Sequence, residues 1–115
     1  MATQSTTLFT NQGSDTIFTI YVTNDDGTPK DLSLFTARSK FARSHASVTK
    51  HNFTSSVRTP GTLGIVDISL SASATVTVKP GLYVFDTEIV YTDSDQTIIE
   101  RVLEGNLEIS PSVTQ

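Results

Sequence analysis

Two histidines, twelve carboxylates and eight basic side chains are the whole supply of groups that could move a proton, hold a metal or fix an anion in this sequence. Catalysis needs several of them to converge on one point. His45 and His51 both fall in a stretch with weak periodicity and read as surface-loop residues rather than as an acid–base or metal pair. Serines are plentiful, yet none sits in a Gly-x-Ser-x-Gly elbow, and there is no glycine-rich phosphate loop. The chain has no cysteine, so thiol catalysis, zinc knuckles, iron–sulfur ligation and disulfide staples are excluded by count.

Asp93, Asp95 and Glu100 could be read as an oxygen cage for calcium. The EF-hand spacing fails, because Thr97 stands at position five and the required glycine is missing, so this stretch reads as a polar hairpin tip. Asn24, Asp25 and Asp26 receive the same reading. Asn52-Phe53-Thr54 fits a glycosylation acceptor, but Met1-Ala2-Thr3-Gln4-Ser5-Thr6 lacks the basic start and apolar core of an export signal. No catalytic, cofactor-binding or metal-binding residue is assigned, no cofactor is expected, and the chain reads as a non-enzyme.

Arg101 is the one charge expected on an apolar face, between Ile99 and Leu103. It reads either as a partner-binding residue or as half of an ion pair with Asp86 or Glu88, if the faces slip at a bulge. Glu100, Glu104 and Glu108 recur every fourth residue, roughly 13 Å apart at strand rise. Such an acidic row is a solvated face that also deters edge-to-edge aggregation.

The elements that must position these groups follow from composition. Fourteen Ser and nineteen Thr make up 33 of 115 residues, and Thr, Val and Ile together number 37. Branching at Cβ suits a pleated surface better than a helix. A hydrophobic fraction of 37%, set in alternating runs, supports a folded core rather than disorder. The net charge of −4 and pI of about 4.9 argue against a nucleic-acid binder. No apolar run approaches the ~20 residues of a membrane span.

Period two predicts a strand over 15–23 with Phe18, Ile20 and Val22 inward and Ile17, Thr19, Tyr21 and Thr23 outward. A second, over 35–43, carries Phe35, Ala37 and Phe41 inward. Between them the bend Asp31-Leu32-Ser33-Leu34 is expected to drop its leucines into the core edge. The segment 44–59 alternates weakly at His51, Phe53, Ser55 and Val57 and reads as a marginal edge strand. Strands are also expected over 64–70, with Val66, Ile68 and Leu70 inward, and over 81–91, with Tyr83, Phe85, Ile89 and Tyr91 inward. Residues 71–79 read as a turn of helix or an irregular crossing. Thr92-Asp93-Ser94-Asp95-Gln96 makes a hairpin turn. In the last strand Ile99, Leu103, Leu107 and Ile109 share a face, and Gly105 suggests a bulge that swaps the faces beyond it.

Short strands at this spacing predict a sandwich or barrel. One detail favours an all-β, immunoglobulin-like β-sandwich of about seven antiparallel strands. Tyr83 follows a turn at the start of a strand, and Phe85 comes two residues later, where a disulfide-bearing immunoglobulin domain has its second cysteine. The expectation is a single domain over 1–115 with short polar terminal arms at about 1–10 and 110–115, candidates to order on a neighbour.

Several stretches carry a family resemblance. They are Gln12-Gly13-Ser14-Asp15-Thr16, Asp26-Gly27-Thr28-Pro29-Lys30-Asp31-Leu32, Phe35-Thr36-Ala37-Arg38-Ser39, Pro80-Gly81-Leu82-Tyr83-Val84-Phe85-Asp86, and Arg101-Val102-Leu103-Glu104-Gly105 followed by Ser110-Pro111-Ser112-Val113-Thr114. In this order they span nearly the whole chain, with departures in 44–59. The sequence resembles the small Ig-like virion structural proteins of tailed bacteriophages, particularly contractile-tailed phages of marine cyanobacteria, and is similar to the amino-terminal domain of phage baseplate upper proteins.

The resemblance implies a non-enzymatic virion protein. It would dock in multiple copies, or as a homo-oligomer, onto other virion proteins of the tail or baseplate, with no nucleic-acid or membrane partner. Capsid decoration on the phage head is the alternative, against the major capsid protein. A host-glycan binding module is a second alternative, set back by the absence of Trp and by the inward placement of most Tyr and Phe.

Overall fold

The computed structural model describes residues 4–92 and 95–111. Eight strands, one short α-helix and one 3-10 turn at Gly61–Leu63 are seen among them: β1 Gln4–Asn11, β2 Thr16–Tyr21, β3 Phe35–Ala42, β4 His51–Asn52, β5 Thr54–Val57, β6 Ile65–Leu70, α1 Ala72–Thr75, β7 Gly81–Thr92 and β8 Thr97–Ser110. They form a five-stranded sheet, β1-β8-β7-β3-β4, and a three-stranded sheet, β2-β6-β5. The all-β sandwich expected from alternation is therefore the observed fold. All the pairings are antiparallel except β1 with β8, which is parallel.

Alternation builds the core as expected over most of its length. Ile20 and Val22 face Val66, Ile68 and Leu70 in one sheet, and Phe41, Tyr83, Phe85, Ile89, Leu107 and Ile109 close the other side. The segment that alternates weakly changes sheets: β4 edges the large sheet, β5 edges the small one, and Phe53 sits buried between them. Its ring lies 5.1 Å from that of Phe41 and 6.2 Å from that of Phe85, so the step between sheets is filled by aromatic packing. Tyr83 donates its hydroxyl to the Lys79 carbonyl four residues back, which makes a tyrosine corner at the turn where the sequence placed Tyr83. Phe85, with Phe53 against it, occupies the inter-sheet space that a disulfide fills in other sandwiches.

Four expectations need correction. Residues 4–10, read as a free arm, belong to β1, which lies along residues 103–110 of β8. Leu32 is buried, but Leu34 is 72% exposed, because the backbone turn from Leu32 to Phe35 leaves the second leucine outside.

The bulge in β8 lies at Val102 rather than at Gly105: Thr87 pairs with Leu103 and Glu88 with Arg101, so Val102 is the extra residue and both Val102 and Leu103 are buried. Ile99 and Arg101 therefore face outward, opposite to Leu103, and Glu100 is turned to the other face from Glu104 and Glu108. That splits the acidic row.

Gly105 has a different task. Its φ is +148°, and a Cβ there would stand 1.7 Å from the Thr6 carbonyl oxygen, so only glycine lets β1 approach.

Candidate functional site

His45 and His51 do not meet in a site. His45 is exposed in the loop after β3, whereas the His51 ring stacks on Phe41 at a centroid distance of 5.0 Å and meets Tyr83 edge-on at 6.2 Å. Asp93 lies outside the described residues. Among the described residues no three His, Cys, Asp or Glu side chains are grouped to hold a metal ion.

The 24–28 loop spends its polar groups on itself. Asp26 accepts from the Thr28 amide at 3.0 Å and the Thr28 hydroxyl at 2.6 Å, and the hydroxyl bond most of all holds its carboxyl below the usual range. Asn24 donates to Thr28 Oγ1 and to the Pro29 carbonyl. Asp31 is held low in the same way by Ser33. Asn52 is exposed on β4, opposite Lys40.

Arg101 resolves as the ion pair. The Val102 bulge turns it outward, where it lies 3.5 Å from Asp86 and 3.2 Å from Glu104. It belongs to a lattice of charges on the outer face of the large sheet. Register places Glu88 between Arg38 and Arg101, and Asp86 between Lys40 and Glu104. Arg38 Nε reaches Glu88 at 2.7 Å. Signs alternate across β3, β7 and β8, so each cross-strand neighbour is favourable except Asp86 beside Glu104, which Arg101 bridges. Each such exposed pair is worth about 0–1 kcal/mol, so the lattice favours the observed strand register more than it adds stability.

The lattice floors an open concavity of about 540 Å3, rimmed by His45 and Lys50. Nothing in it pairs a nucleophile with a base, and what the face offers is charged, orientable contact for another surface.

Sequence reasoning missed one pair on the opposite face. Arg58, just beyond β5, grips Asp67 of β6 with two bonds, Nε to Oδ2 at 3.0 Å and a terminal nitrogen to Oδ1 at 2.7 Å, and Thr19 Oγ1 donates to the same carboxylate at 3.2 Å. The Arg58 hydrogen bonds are the main reason the Asp67 carboxyl sits below the ordinary range, and Arg58 is raised in return. The signal was present only as an outward Asp67. The register of β5 on β6, which pairs Val57 with Val66, supplies its partner.

The described residues thus define an all-β sandwich whose outer faces mix charged and polar groups with exposed apolar side chains such as Phe9, Ile17, Tyr21 and Leu82, and they hold no assembled catalytic constellation. No protein-family model matches the chain, and no curated protein matches it. Among solved structures it is similar to the N-terminal domain of phage TP901-1 ORF48, with a TM-score of 0.55 at 10% sequence identity, covering 96% of this chain and 99% of that one. It is also aligned with AggA, the major subunit of the aggregative adherence fimbriae type I of Escherichia coli, with a TM-score of 0.36 at 12% identity over 96% and 91% of the two chains. The first likeness is one of fold over nearly the whole of both chains; the second is too slight to carry an argument.

Proposed function

We propose that this chain is a non-enzymatic structural protein of a tailed-phage particle, docking in multiple copies onto other virion proteins of the tail or baseplate. The observation that carries the reading is that 96% of the chain is similar in fold to 99% of a phage domain. The surface supports it: the polar groups sit on open sheet faces suited to protein contact rather than in an enclosed hollow suited to a substrate. The charge lattice would orient a partner and fix its register, as electrostatic complementarity does at docking surfaces.

The test is composition and place. Mass spectrometry of purified virions should detect the chain at many copies per particle, and cryo-electron microscopy should fit the sandwich into symmetric density at the tail or baseplate. Density on the head would turn the reading to capsid decoration, and absence from the particle would overturn it.

Host-glycan binding is favoured by one observation. Tyr21 is 65% exposed on the outer face of the small sheet, on which Arg58 and Asp67 also stand, an apolar ring next to polar groups of the kind sugars stack on. Tyr91 does not share this role, since its ring packs on Phe35 at 5.6 Å. Glycan-array binding that is lost on Tyr21→Ala would establish this reading, and an array without signal would remove it.

A further inference from the structure

β1 is an edge strand that lacks the usual protections of one. It ends the order of the large sheet, and among the described residues no strand lies on its far side. Edges are normally guarded by Lys, Pro, a bulge or brevity. β1 runs eight residues, Gln4-Ser5-Thr6-Thr7-Leu8-Phe9-Thr10-Asn11, with no charge and no proline, and its register on β8 is unbroken.

Other edges are managed. β4 is two residues long, β5 is four and leads straight to Arg58, and β2 is shorter than β1, with the Arg58–Asp67 pair reaching Thr19 on it.

The free groups on this edge can be named. The Gln12 amide donates to the Ser110 carbonyl at 2.8 Å, and Asn11 is the register partner of Ser110. Successive residues of a strand aim their backbone groups to opposite sides, so Thr6, Leu8 and Thr10 serve β8, while Ser5, Thr7 and Phe9 present their amides and carbonyls outward. The outward carbonyl of Asn11 is already taken by the Ser14 amide. The same parity puts the side chains of Ser5, Thr7 and Phe9 on the outer face, with Phe9 63% exposed beside Glu108 and the exposed Leu82 in the neighbouring strands.

We infer that the β1 edge binds the β1 edge of a second copy of this chain, antiparallel, about a two-fold axis at Thr7, so that two five-stranded sheets become one continuous sheet. The pattern is self-complementary. With Thr7 opposite Thr7 and Ser5 opposite Phe9, each of the three outward residues exchanges both of its backbone bonds, and Asn11 is not needed. Charge allows it: each chain carries −4, yet the seam itself brings no like charges together. A two-fold axis closes the assembly, which spares the edge from open-ended growth. The inference deepens the multi-copy reading above and rests on it for its purpose, but it is tested on the purified chain alone.

The experiment is sedimentation velocity across a concentration series on the wild type, Thr7→Lys and Thr7→Pro. Thr7 is exposed and its backbone faces away from β8, so both variants should keep the fold, checked by an unchanged far-ultraviolet circular dichroism spectrum, while their thermal midpoints should lose the rise with concentration that self-association gives the wild type. The lysine places two charges together at the axis, and the proline removes an outward donor.

The expected result is a wild-type dimer and variants whose self-association is at least about tenfold weaker, since each blocks the ladder at its centre. Because the chain has no cysteine, Thr7→Cys should be joined efficiently by a short bis-maleimide, and Ser56→Cys, on the far sheet, should not. A wild type that stays monomeric, or a dimer that survives both variants, overturns the inference. A monomer that is nonetheless found in virions would do so while leaving the structural-protein reading intact.

Discussion

Ser39 and Thr87 face each other across β3 and β7 inside the core, 3% and 0% exposed, with their hydroxyl oxygens 2.9 Å apart. Period two forces both positions inward, between aromatic and aliphatic neighbours, and the two hydroxyls answer each other's burial. Ser39 also donates to the Asp86 carbonyl at 2.7 Å, and Thr87 has Ser39 as its side-chain partner. Ser39→Ala therefore strands the Thr87 hydroxyl and should cost about 1–3 kcal/mol, whereas adding Thr87→Val should recover part of that loss. A double-mutant cycle by urea denaturation measures it. Strictly additive losses would show that the pair does not act as a unit.

The Tyr83 hydroxyl bond to Lys79 ties the connection after α1 to the start of β7. Tyr83→Phe keeps the ring, with its edge contact to Phe41 at 5.3 Å, and removes only that bond. The expected loss is about 1 kcal/mol, read as a lower urea midpoint at unchanged slope. A change of slope would instead mean that the corner governs how compact the unfolded or native state is.

How far the fold was legible depended on whether side chains or backbone groups hold each element. Phe18, Ile20 and Val22, or Val66, Ile68 and Leu70, announce strands because every second residue is buried against the opposing sheet. The inward placement of Tyr83 and Phe85 beside a turn was legible for the same reason, whereas the hydroxyl bond to Lys79 that makes the corner was not. β1 was not legible: it buries Thr10 and part of Leu8, and what holds it is a backbone ladder that leaves no periodic trace.

Gly105 points to the wrong residue for the bulge, because its task is to admit β1. The adjacent buried pair Val102 and Leu103 is the true marker, two apolar neighbours that no regular strand can both turn inward. The Arg58–Asp67 pair escaped because register, not sequence spacing, decides which residue of β5 or its continuation lies beside β6.

Asp67 makes acid stability testable with a definite sign. Its carboxyl titrates lower in the folded chain than in the unfolded one, chiefly through the Arg58 hydrogen bonds. Its contribution is therefore fully present above the unfolded carboxylate pKa of about 4 and is lost as pH falls through the lower folded value. Asp67→Asn should reduce stability at neutral pH and flatten the acid limb. The urea midpoints of wild type and variant should converge as pH drops below that window. Asp26 and Asp31 are shifted in the same direction by Thr28 and Ser33 and remain in both proteins, so the difference curve isolates Asp67. Parallel curves would show that the Arg58 bridge adds nothing to the folded state.

Gly105 is the place where β8 is shaped to receive β1. Any side chain there meets the Thr6 carbonyl and must also adopt a φ that L-residues rarely take. Gly105→Ala should then act locally, displacing β1 while the β2-β6-β5 sheet and the β7–β8 hairpin persist, because β1 hydrogen-bonds to β8 alone in its sheet. Hydrogen exchange should show the amides of Thr6, Leu8 and Thr10 losing protection, with those of Ile20, Ile68 and Phe85 little changed. Uniform loss of protection across both sheets would mean that β1 is required for the whole sandwich, and the distinction between a laid-on strand and an integral one would fall with it.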